Sequence, residues 1–136
     1  MKLWVIDTNV LVSAAITRGG VCDRLMLAAQ EGRLDLAWNA AMLREYREVL
    51  LRPKFGLRAR MVGEVLAMFR IDGHRVGEAG VTLPDPDDAP FLAVALMGER
   101  VLVTGNIRHF PEKLRRGVEV LTPAEALKRL GFIGSV

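Results

Sequence analysis

The sequence predicts an α/β fold in which a mainly parallel sheet lies between two layers of helices. Short apolar runs alternate along the 136 residues with longer segments of helical spacing, an order typical of parallel strands joined by crossover helices. Residues 3–6 are apolar at every position rather than at alternate positions, which indicates a strand covered on both faces. Polar residues follow this strand, at the edge of the sheet where α/β proteins bind ligands.

The composition suits one globular domain. Hydrophobic residues make up 51% of the chain and charged residues 26%, which excludes an intrinsically disordered protein. A chain of this length forms a single core, and we expect one domain over residues 1–136. The net charge of +3 permits a polyanionic partner but does not require one.

Cysteine usage and hydropathy bear on the compartment. Cys22 is the single cysteine, so it cannot form an internal disulfide, and a reducing compartment is the simpler expectation. Asp7 interrupts the first apolar run before it reaches the length of a signal peptide. No run is long enough to span a membrane. We therefore expect a cytoplasmic protein with no membrane partner.

Spacing and glycine positions define the elements of the first third. The strand at 3–6 precedes residues 10–16, which could open a helix or a loop before Gly19. Residues 21–31 place apolar side chains at helical spacing, and Gly32 is a natural end to that helix.

The middle of the chain predicts one strand and two helices. Residues 34–38 alternate in polarity, as expected of a second strand. Asn39 can cap the helix that follows, and this helix must end before Pro53. Residues 57–69 carry apolar side chains on one side and predict a further amphipathic helix.

The last third predicts two strands and two helices. Residues 91–97 are almost wholly apolar and indicate a buried helix. Short apolar runs at 101–103 and 118–121 are the remaining strands. The helix at 124–130 has a clear start signal, since Thr-Pro-Ala-Glu at 122–125 combines a capping box with proline in the first turn.

Acidic residues stand at three points that a parallel fold could bring together. Asp7 follows the first strand, and Glu45 lies within the first amphipathic helix of the middle region. Asp85, Asp87 and Asp88 precede the apolar helix. Carboxylates gathered at one rim repel one another unless a cation neutralises them, and hard cations such as Mg²⁺ prefer carboxylate oxygens. The acids are therefore candidates for a metal site that activates water against a phosphodiester.

Each acid also has an ordinary structural explanation. Asp7, Asp87 or Asp88 could cap the helix that follows it, and Glu45 could be an exposed residue of its helix. Asp85 stands between two prolines and fits a turn. The two histidines lack the spacing of a zinc site, which favours surface or local hydrogen-bonding roles. Spacing alone does not show that the acids converge.

Four segments, taken together and in order, resemble a PIN domain. They are Ile-Asp-Thr-Asn-Val-Leu-Val-Ser at 6–13, residues 43–50 around the helix acid, residues 85–95, and Val-Thr-Gly-Asn at 103–106. The Arg-Pro-Lys-Phe segment at 52–55 is similar to one bacterial branch of the family, the VapC-like toxin components of toxin–antitoxin pairs. The resemblance covers almost the whole chain.

This resemblance implies a three-layer α/β/α fold with about five parallel strands and the activity of a Mg²⁺- or Mn²⁺-dependent ribonuclease. It assigns catalysis and metal binding to Asp7, Glu45 and Asp88. Supporting roles fall on Asn9, Asp85, Asp87, Thr104 and Asn106. It also implies three kinds of partner: an RNA substrate, a small antitoxin that inserts a segment over the acidic site, and a second copy of the chain in a homodimer or larger homo-oligomer.

The sequence departs from the family at its fourth acid. An acid is common at one of two places that here hold Asn106 and His109. Asn106 could still ligate a metal through its amide oxygen, but it carries no charge. Three matched acids remain, which leaves open whether the site holds one metal or two. The departure also supports an alternative function, in which a PIN-like module binds RNA or protein without cutting.

Basic residues could hold the RNA backbone around the acidic rim. The candidates are Arg18, Arg108, Lys113, Arg115 and Arg116. A solvated basic face is an equally good explanation for any one of them. Phosphate contacts carry no base information, so they do not reveal which RNA sequence would be cut.

Other acid-rimmed α/β proteins fit less well. A haloacid-dehalogenase-like phosphatase needs a second Asp two residues after the first, where Asn9 stands. A phosphate-transfer receiver needs an acceptor Asp at the end of a central strand and a late Lys, and neither is evident. Both classes are therefore disfavoured.

Overall fold

Four parallel strands and six α-helices make up the part of the chain that the structure, a computed structural model, describes, residues 2–131. The strands are β1 (Leu3–Ile6), β2 (Asp35–Leu36), β3 (Val101–Val103) and β4 (Glu119–Leu121). The helices are α1 (Thr8–Ile16), α2 (Val21–Gln30), α3 (Ala40–Leu50), α4 (Ala59–Leu66), α5 (Ala89–Met97) and α6 (Pro123–Arg129). Short 3-10 helices cover Pro53–Phe55, Ile71–Gly73, Pro86–Asp88, Ile107–His109 and Glu112–Leu114.

The sheet has the spatial order β2-β1-β3-β4, so β1 lies in its interior. All four residues of β1 are buried, and because successive side chains of a strand point to opposite faces, both faces of the sheet must be covered. α5 packs against β1 and β3, while α2 packs against α1 and α6. This arrangement confirms the predicted α/β fold with a parallel sheet between layers of helices.

Over the described residues the sheet has four strands, one fewer than the expected number of about five. A fifth position begins where Trp38 pairs with His74 in a single parallel bridge. The backbone at Gly73 lies so close to the sheet that a Cβ there would be 2.1 Å from the Leu36 carbonyl oxygen. The chain then turns away at Gly77, whose φ is +104°, a conformation that favours glycine. The bridge therefore does not extend into a strand.

Two predicted elements are longer in the sequence pattern than in the structure. The strand expected at 34–38 is reduced to the two residues of β2, because the chain beyond it pairs only at the single bridge. The helix expected at 57–69 forms only as α4. After α4, the N–H groups of Met68 and Phe69 each bond three residues back, which is the tighter pattern that commonly ends a helix.

Two local predictions are confirmed, and one alternative that the sequence left open is decided. Residues 10–16, which could have been a helix or a loop, are helical and belong to α1. The Asn39 side chain caps α3 by accepting a backbone N–H at 2.9 Å. Thr122 and Glu125 form the reciprocal capping box at the start of α6, with proline in the first turn. These signals are read correctly because they depend on residues close together in the sequence.

A buried tyrosine fixes α3 against the end of β1. The Tyr46 side chain is fully buried, and its hydroxyl donates a hydrogen bond to the carbonyl of Ile6, the last residue of β1. Its ring packs against Phe69 and Phe91, with centroids 4.9 Å and 5.9 Å away. Glu45 precedes this tyrosine in α3, so the same packing holds Glu45 near the carboxyl edge of the sheet.

Neither a spanning helix nor a reactive thiol is found in the described region. Among residues 2–131, no helix is both long and apolar enough to cross a bilayer. Cys22 is a free, half-buried thiol, and its burial raises its pKa. A thiol of this kind is poorly reactive, in keeping with a packing role.

Candidate functional site

Asp7 stands at the carboxyl end of β1, beside the end of β3. Its N–H donates to the Val103 carbonyl at 2.8 Å, which continues the pairing of the two strands by one residue. The Thr8 N–H donates to Asp7 Oδ1 and the Thr104 hydroxyl donates to Asp7 Oδ2, both at 2.8 Å. Asp7 therefore caps α1 and also stands at the sheet edge, so the two explanations offered by the sequence are both correct.

The Asp7 carboxylate is nearly out of solvent. The residue is 5% exposed, and burial raises its pKa, an effect that the hydrogen bonds from Thr104 and Thr8 partly oppose. Asn9 adds a further contact, its amide nitrogen lying 3.3 Å from Asp7 Oδ2. The Asn9 Oδ1 atom also accepts the Gly105 N–H at 2.9 Å. Asn9 thus connects the first acid to the loop after β3.

Glu45 reaches the same edge from α3. The Thr8 hydroxyl donates a hydrogen bond to Glu45 Oε2, which connects the start of α1 to the helix acid. Burial raises the pKa of Glu45, and the negative charges of Asp7, Asp87 and Asp85 raise it further, while the bond from Thr8 lowers it. The alternative of an ordinary exposed helix residue is therefore wrong, because Glu45 is half-buried among other acids.

Asp88 comes from the turn that leads into α5. It occupies the cap position of α5, but its side chain makes no capping hydrogen bond, so capping does not explain this residue. Its side chain is 13% exposed, and its Oδ2 atom is buried without a well-aligned hydrogen bond from any described residue. Burial, followed by the negative charge of Asp7, raises the pKa of Asp88 to about 6.

Asp85 and Asp87, which precede Asp88, form the turn before α5. Asp85 Oδ1 accepts the Asp87 N–H at 2.9 Å and so caps the 3-10 turn, which confirms the turn explanation for Asp85. Both residues are exposed. Their carboxylates act on the site through charge, since both raise the pKa of Glu45.

His109 occupies a place in the site that sequence reasoning did not give it. Its Nδ1 atom lies 3.0 Å from Asp88 Oδ2, a contact that is an ion pair when the ring is protonated. Its Nε2 atom lies 3.1 Å from the amide nitrogen of Asn106, and the Asn106 N–H is bonded to Thr104 Oγ1 at 2.9 Å. The only sequence signal was that the family often has an acid at position 109 or 106.

One open cleft of about 430 Å³ brings these side chains together. Its lining consists of Asp7, Thr8, Asn9, Val12, Ser13, Glu45, Val49, Phe55, Asp85, Asp87, Asp88 and His109. We call it the acid cleft. Thr104 and Asn106 do not line the cleft. Thr104 contacts Asp7, and Asn106 contacts His109. Among the described residues, neither Lys nor Arg contributes to this lining.

The donor set fits a divalent cation. Five carboxylates share a lining to which, among the described residues, neither Lys nor Arg contributes, and burial followed by the repulsion from Asp7 raises the pKa of Asp88. A cation would relieve both effects. One ligand atom each from Asp85, Asp88 and His109 lies within 4.8 Å of the other two. The buried Asp88 Oδ2 atom, which lacks a well-aligned hydrogen bond, is a natural ligand in such a set.

The same chain matches a family model, the PIN domain, over residues 4–108. The match covers most of the chain and contains the three acids that the resemblance selected. The chain belongs to the PIN domain family. PIN domains are generally nucleases and typically bind divalent metal ions. No curated protein matches this PIN domain.

Proposed function

We propose that this PIN domain is a metal-dependent endoribonuclease. The observation that carries the proposal is the convergence of Asp7, Glu45 and Asp88, which come from three separate elements and line one cleft. Burial raises the pKa of all three, a cost that structural roles alone do not explain. A cleft with this charge would repel RNA unless cations neutralised it, so the site supports metal-dependent chemistry on a phosphodiester.

Each acid has a role in this proposal. Asp7 and Asp88 hold Mg²⁺ or Mn²⁺, and Glu45 completes the ligand set or orients the attacking water. When bound, the cation lowers the pKa of water and offsets charge at the scissile phosphate. The Thr104 and Asn9 side chains keep the Asp7 carboxylate in one orientation.

The chain also holds Glu45 in position for catalysis. The Thr8 hydroxyl holds one carboxylate oxygen, so the other oxygen is free to accept a proton from water. Glu45 is thereby held in the cleft beside Asp7 and Asp88, where a general base could reach a water near the cation. Glu45 can thus take the proton that an attacking water releases.

Basic side chains outside the lining would hold the RNA backbone. Of the five candidates, Arg115 donates to the Phe110 carbonyl at 2.7 Å and Arg116 to the Ala79 carbonyl at 3.2 Å, so these two guanidinium groups also serve the fold. The others, Arg18, Arg108 and Lys113, are exposed. Arg108 immediately precedes His109 of the acid cleft, which makes it the best placed candidate for a phosphate contact.

The finer biological role is part of the same proposal. We propose a VapC-like toxin of a toxin–antitoxin pair, cytoplasmic, acting as a homodimer or larger homo-oligomer and inhibited by a small antitoxin that inserts over the acid cleft. Supporting this, Phe55 of the 52–55 segment lines the cleft. Expression should arrest growth only with an intact Asp7, and a small protein encoded beside the gene should relieve the arrest. Equal growth with wild type and Asp7→Asn would contradict the toxin role.

RNA cleavage by the purified protein tests the nuclease directly. Mixed single-stranded RNA is incubated with Mg²⁺, Mn²⁺ or chelator, using wild type, Asp7→Asn and the matched control Asp72→Asn, which changes an exposed aspartate paired with Arg70. We expect cleavage that needs the metal, disappears in Asp7→Asn and persists in Asp72→Asn. RNA binding without cleavage under any metal, by folded protein free of antitoxin, would instead favour the non-cutting binding module that Asn106 and His109 suggested.

A further inference from the structure

His109 places a nitrogen donor in a cleft whose other charged groups are carboxylates. Its Nδ1 atom lies 3.0 Å from Asp88 Oδ2. On an octahedral ion with ligand bonds of about 2.1 Å, neighbouring ligand atoms lie about 3.0 Å apart. The two atoms therefore already have the separation of two ligands on one ion, and Asp85 offers a third ligand atom within 4.8 Å of both.

The contact between Asp88 Oδ2 and His109 Nδ1 is favourable only if the ring nitrogen carries a proton or if a cation lies between the two atoms. Asp88 Oδ2 is buried and lacks a well-aligned hydrogen bond. The His109 imidazole is therefore the group that must offset the cost of burying this oxygen. The imidazole side chain is 43% exposed, so an ion from solvent can reach it without opening the fold. A cation between the two atoms would satisfy both of them.

We propose that Asp85, Asp88 and His109 bind a divalent transition-metal ion through two carboxylates and an imidazole, and that His109 makes this subsite select such ions over Mg²⁺. Imidazole nitrogen is a good ligand for Zn²⁺, Cu²⁺, Fe²⁺ and Ni²⁺, whereas Mg²⁺ takes oxygen ligands and keeps its waters. The inference deepens the proposed nuclease and rests on it for the use of the bound ion.

Asn106 supplies the second contact that a ligating imidazole needs. A histidine that binds a metal through one ring nitrogen usually donates the other N–H to a nearby acceptor. The Asn106 amide stands 3.1 Å from His109 Nε2, and a half-turn of the amide presents its oxygen instead of its nitrogen. The Asn106 backbone is anchored on the Thr104 hydroxyl, so the amide stays beside the ring. The residue that replaces an acid at 106 thus suits a histidine ligand.

The decisive experiment measures metal binding by the full-length protein without RNA. Protein labelled with ¹⁵N is titrated with Zn²⁺ and separately with Mg²⁺, and the imidazole nitrogens are followed by NMR. The chain has two histidines, and His74, which packs edge-on against Trp38 outside the acid cleft, is the internal control. We expect Zn²⁺ to shift the Nδ1 resonance of His109 alone and Mg²⁺ to shift neither histidine. An unmoved His109 at saturating Zn²⁺, or equal shifts of both histidines, would overturn the proposal.

Matched variants measure the selectivity. His109→Gln should weaken Zn²⁺ binding by about tenfold or more and change Mg²⁺ binding by less than about twofold, as measured by calorimetry. His74→Gln should change neither affinity. Equal losses for both ions in His109→Gln would overturn the selectivity. If circular dichroism shows His109→Gln to be unfolded, the wild-type NMR titration decides alone.

The outcomes for this subsite and for the nuclease can be told apart. Mg²⁺-dependent cleavage with an unmoved His109 would keep the nuclease and remove the nitrogen ligand. Zn²⁺ binding at His109 without cleavage under Mg²⁺, Mn²⁺ or Zn²⁺ would keep the metal subsite and remove the nuclease.

Discussion

The acids near α6 and the acids of the cleft differ in what surrounds them. At the start and end of α6 each glutamate has a partner: Arg129 contacts Glu119 at 3.0 Å and 2.5 Å, and the Thr122 N–H donates to Glu125 at 2.9 Å. These hydrogen bonds lower the pKa of both glutamates. Such acids are charged at neutral pH and favour the folded state.

The cleft acids have the opposite character. Burial raises the pKa of Asp7, Glu45 and Asp88, and neither Lys nor Arg lines the cleft among the described residues. Their charges therefore oppose folding at neutral pH in the absence of a cation. The first group therefore serves stability, whereas in the proposed function the second serves binding and chemistry.

Removing one cleft charge should affect activity far more than removing a partnered charge. We expect Asp88→Asn to lower metal-dependent RNA cleavage by about 100-fold or more, because it removes a proposed metal ligand. Glu125→Gln, which changes an exposed acid of α6, should leave the cleavage rate unchanged. Initial rates on the same RNA at saturating metal measure both. Similar cleavage rates for the two variants would mean that the acids of the cleft and the acids near α6 do not differ in function.

The packing of α3 against the end of β1 can be weakened without changing a charged residue of the acid cleft. Tyr46→Phe removes the hydroxyl that bonds the Ile6 carbonyl and leaves that buried acceptor unpaired, which should cost about 1–3 kcal/mol of unfolding free energy. Urea denaturation measures the loss. Because Glu45 is the neighbouring residue, cleavage should fall as well. An unchanged unfolding midpoint would mean that the hydroxyl bond does not hold α3 in place.

Stability at α6 should be separable from activity. Thr122→Ala removes the capping side chain of α6 and should lower the free energy of unfolding by about 1 kcal/mol. RNA cleavage at a temperature where the variant is folded should not change, since the helix start lies outside the lining of the acid cleft. Reduced cleavage by fully folded Thr122→Ala would show that the two regions are coupled.

The smallest expected effect is a gain in the free energy of unfolding when a charge of the acid cleft is removed. The pKa of Asp88 rises from 3.8 to about 6 on folding, so the folded state holds a proton that the unfolded state releases between these values. Its contribution to stability is present at low pH and is lost as pH rises through this window. Because the cleft is open to solvent, the effect should be no more than about 1 kcal/mol.

Asp88→Asn tests this sign. In chelator at pH 7, the variant should be slightly more stable than wild type, and its stability should depend less on pH between the two pKa values. Urea denaturation of both proteins across that range measures the difference. Adding Mn²⁺ should stabilise wild type more than the variant. A variant less stable than wild type at neutral pH would mean that the Asp88 charge is already compensated in the fold.

Local signals were enough to predict most of the frame of the site. Apolar runs mark where β1 and β3 end, and the parallel register of Ile6 with Val103 then brings the next residues, Asp7 and Thr104, side by side. Asn39 and the Thr122 capping box were equally readable, because cap and helix are adjacent in the sequence. Glu45 and Asp88 were already candidates as acids that a parallel fold could bring together, and the family resemblance selected them over their ordinary structural explanations.

Long-range contacts account for what the sequence did not reveal. The single bridge at the fifth position of the sheet depends on the close approach of Gly73 to Leu36, two residues far apart in the chain. The position of His109 depends on the turn after β3 packing beside Asp88. Asn106 was expected in a supporting role in which it could ligate the metal, whereas in the structure its side chain contacts His109 and does not line the cleft.

The shortness of the edge strands limits how copies of this chain can associate. An edge strand that offers a long row of free backbone groups can recruit a strand from another molecule. Here β2 has two residues and β4 has three, and beyond β2 the single bridge to His74 covers the next pairing position. Short edges of this kind disfavour a sheet that runs continuously through two subunits. In a homodimer of this chain we therefore expect an interface away from the sheet edges, so that each subunit keeps its own sheet and its own acids at the carboxyl ends of the strands.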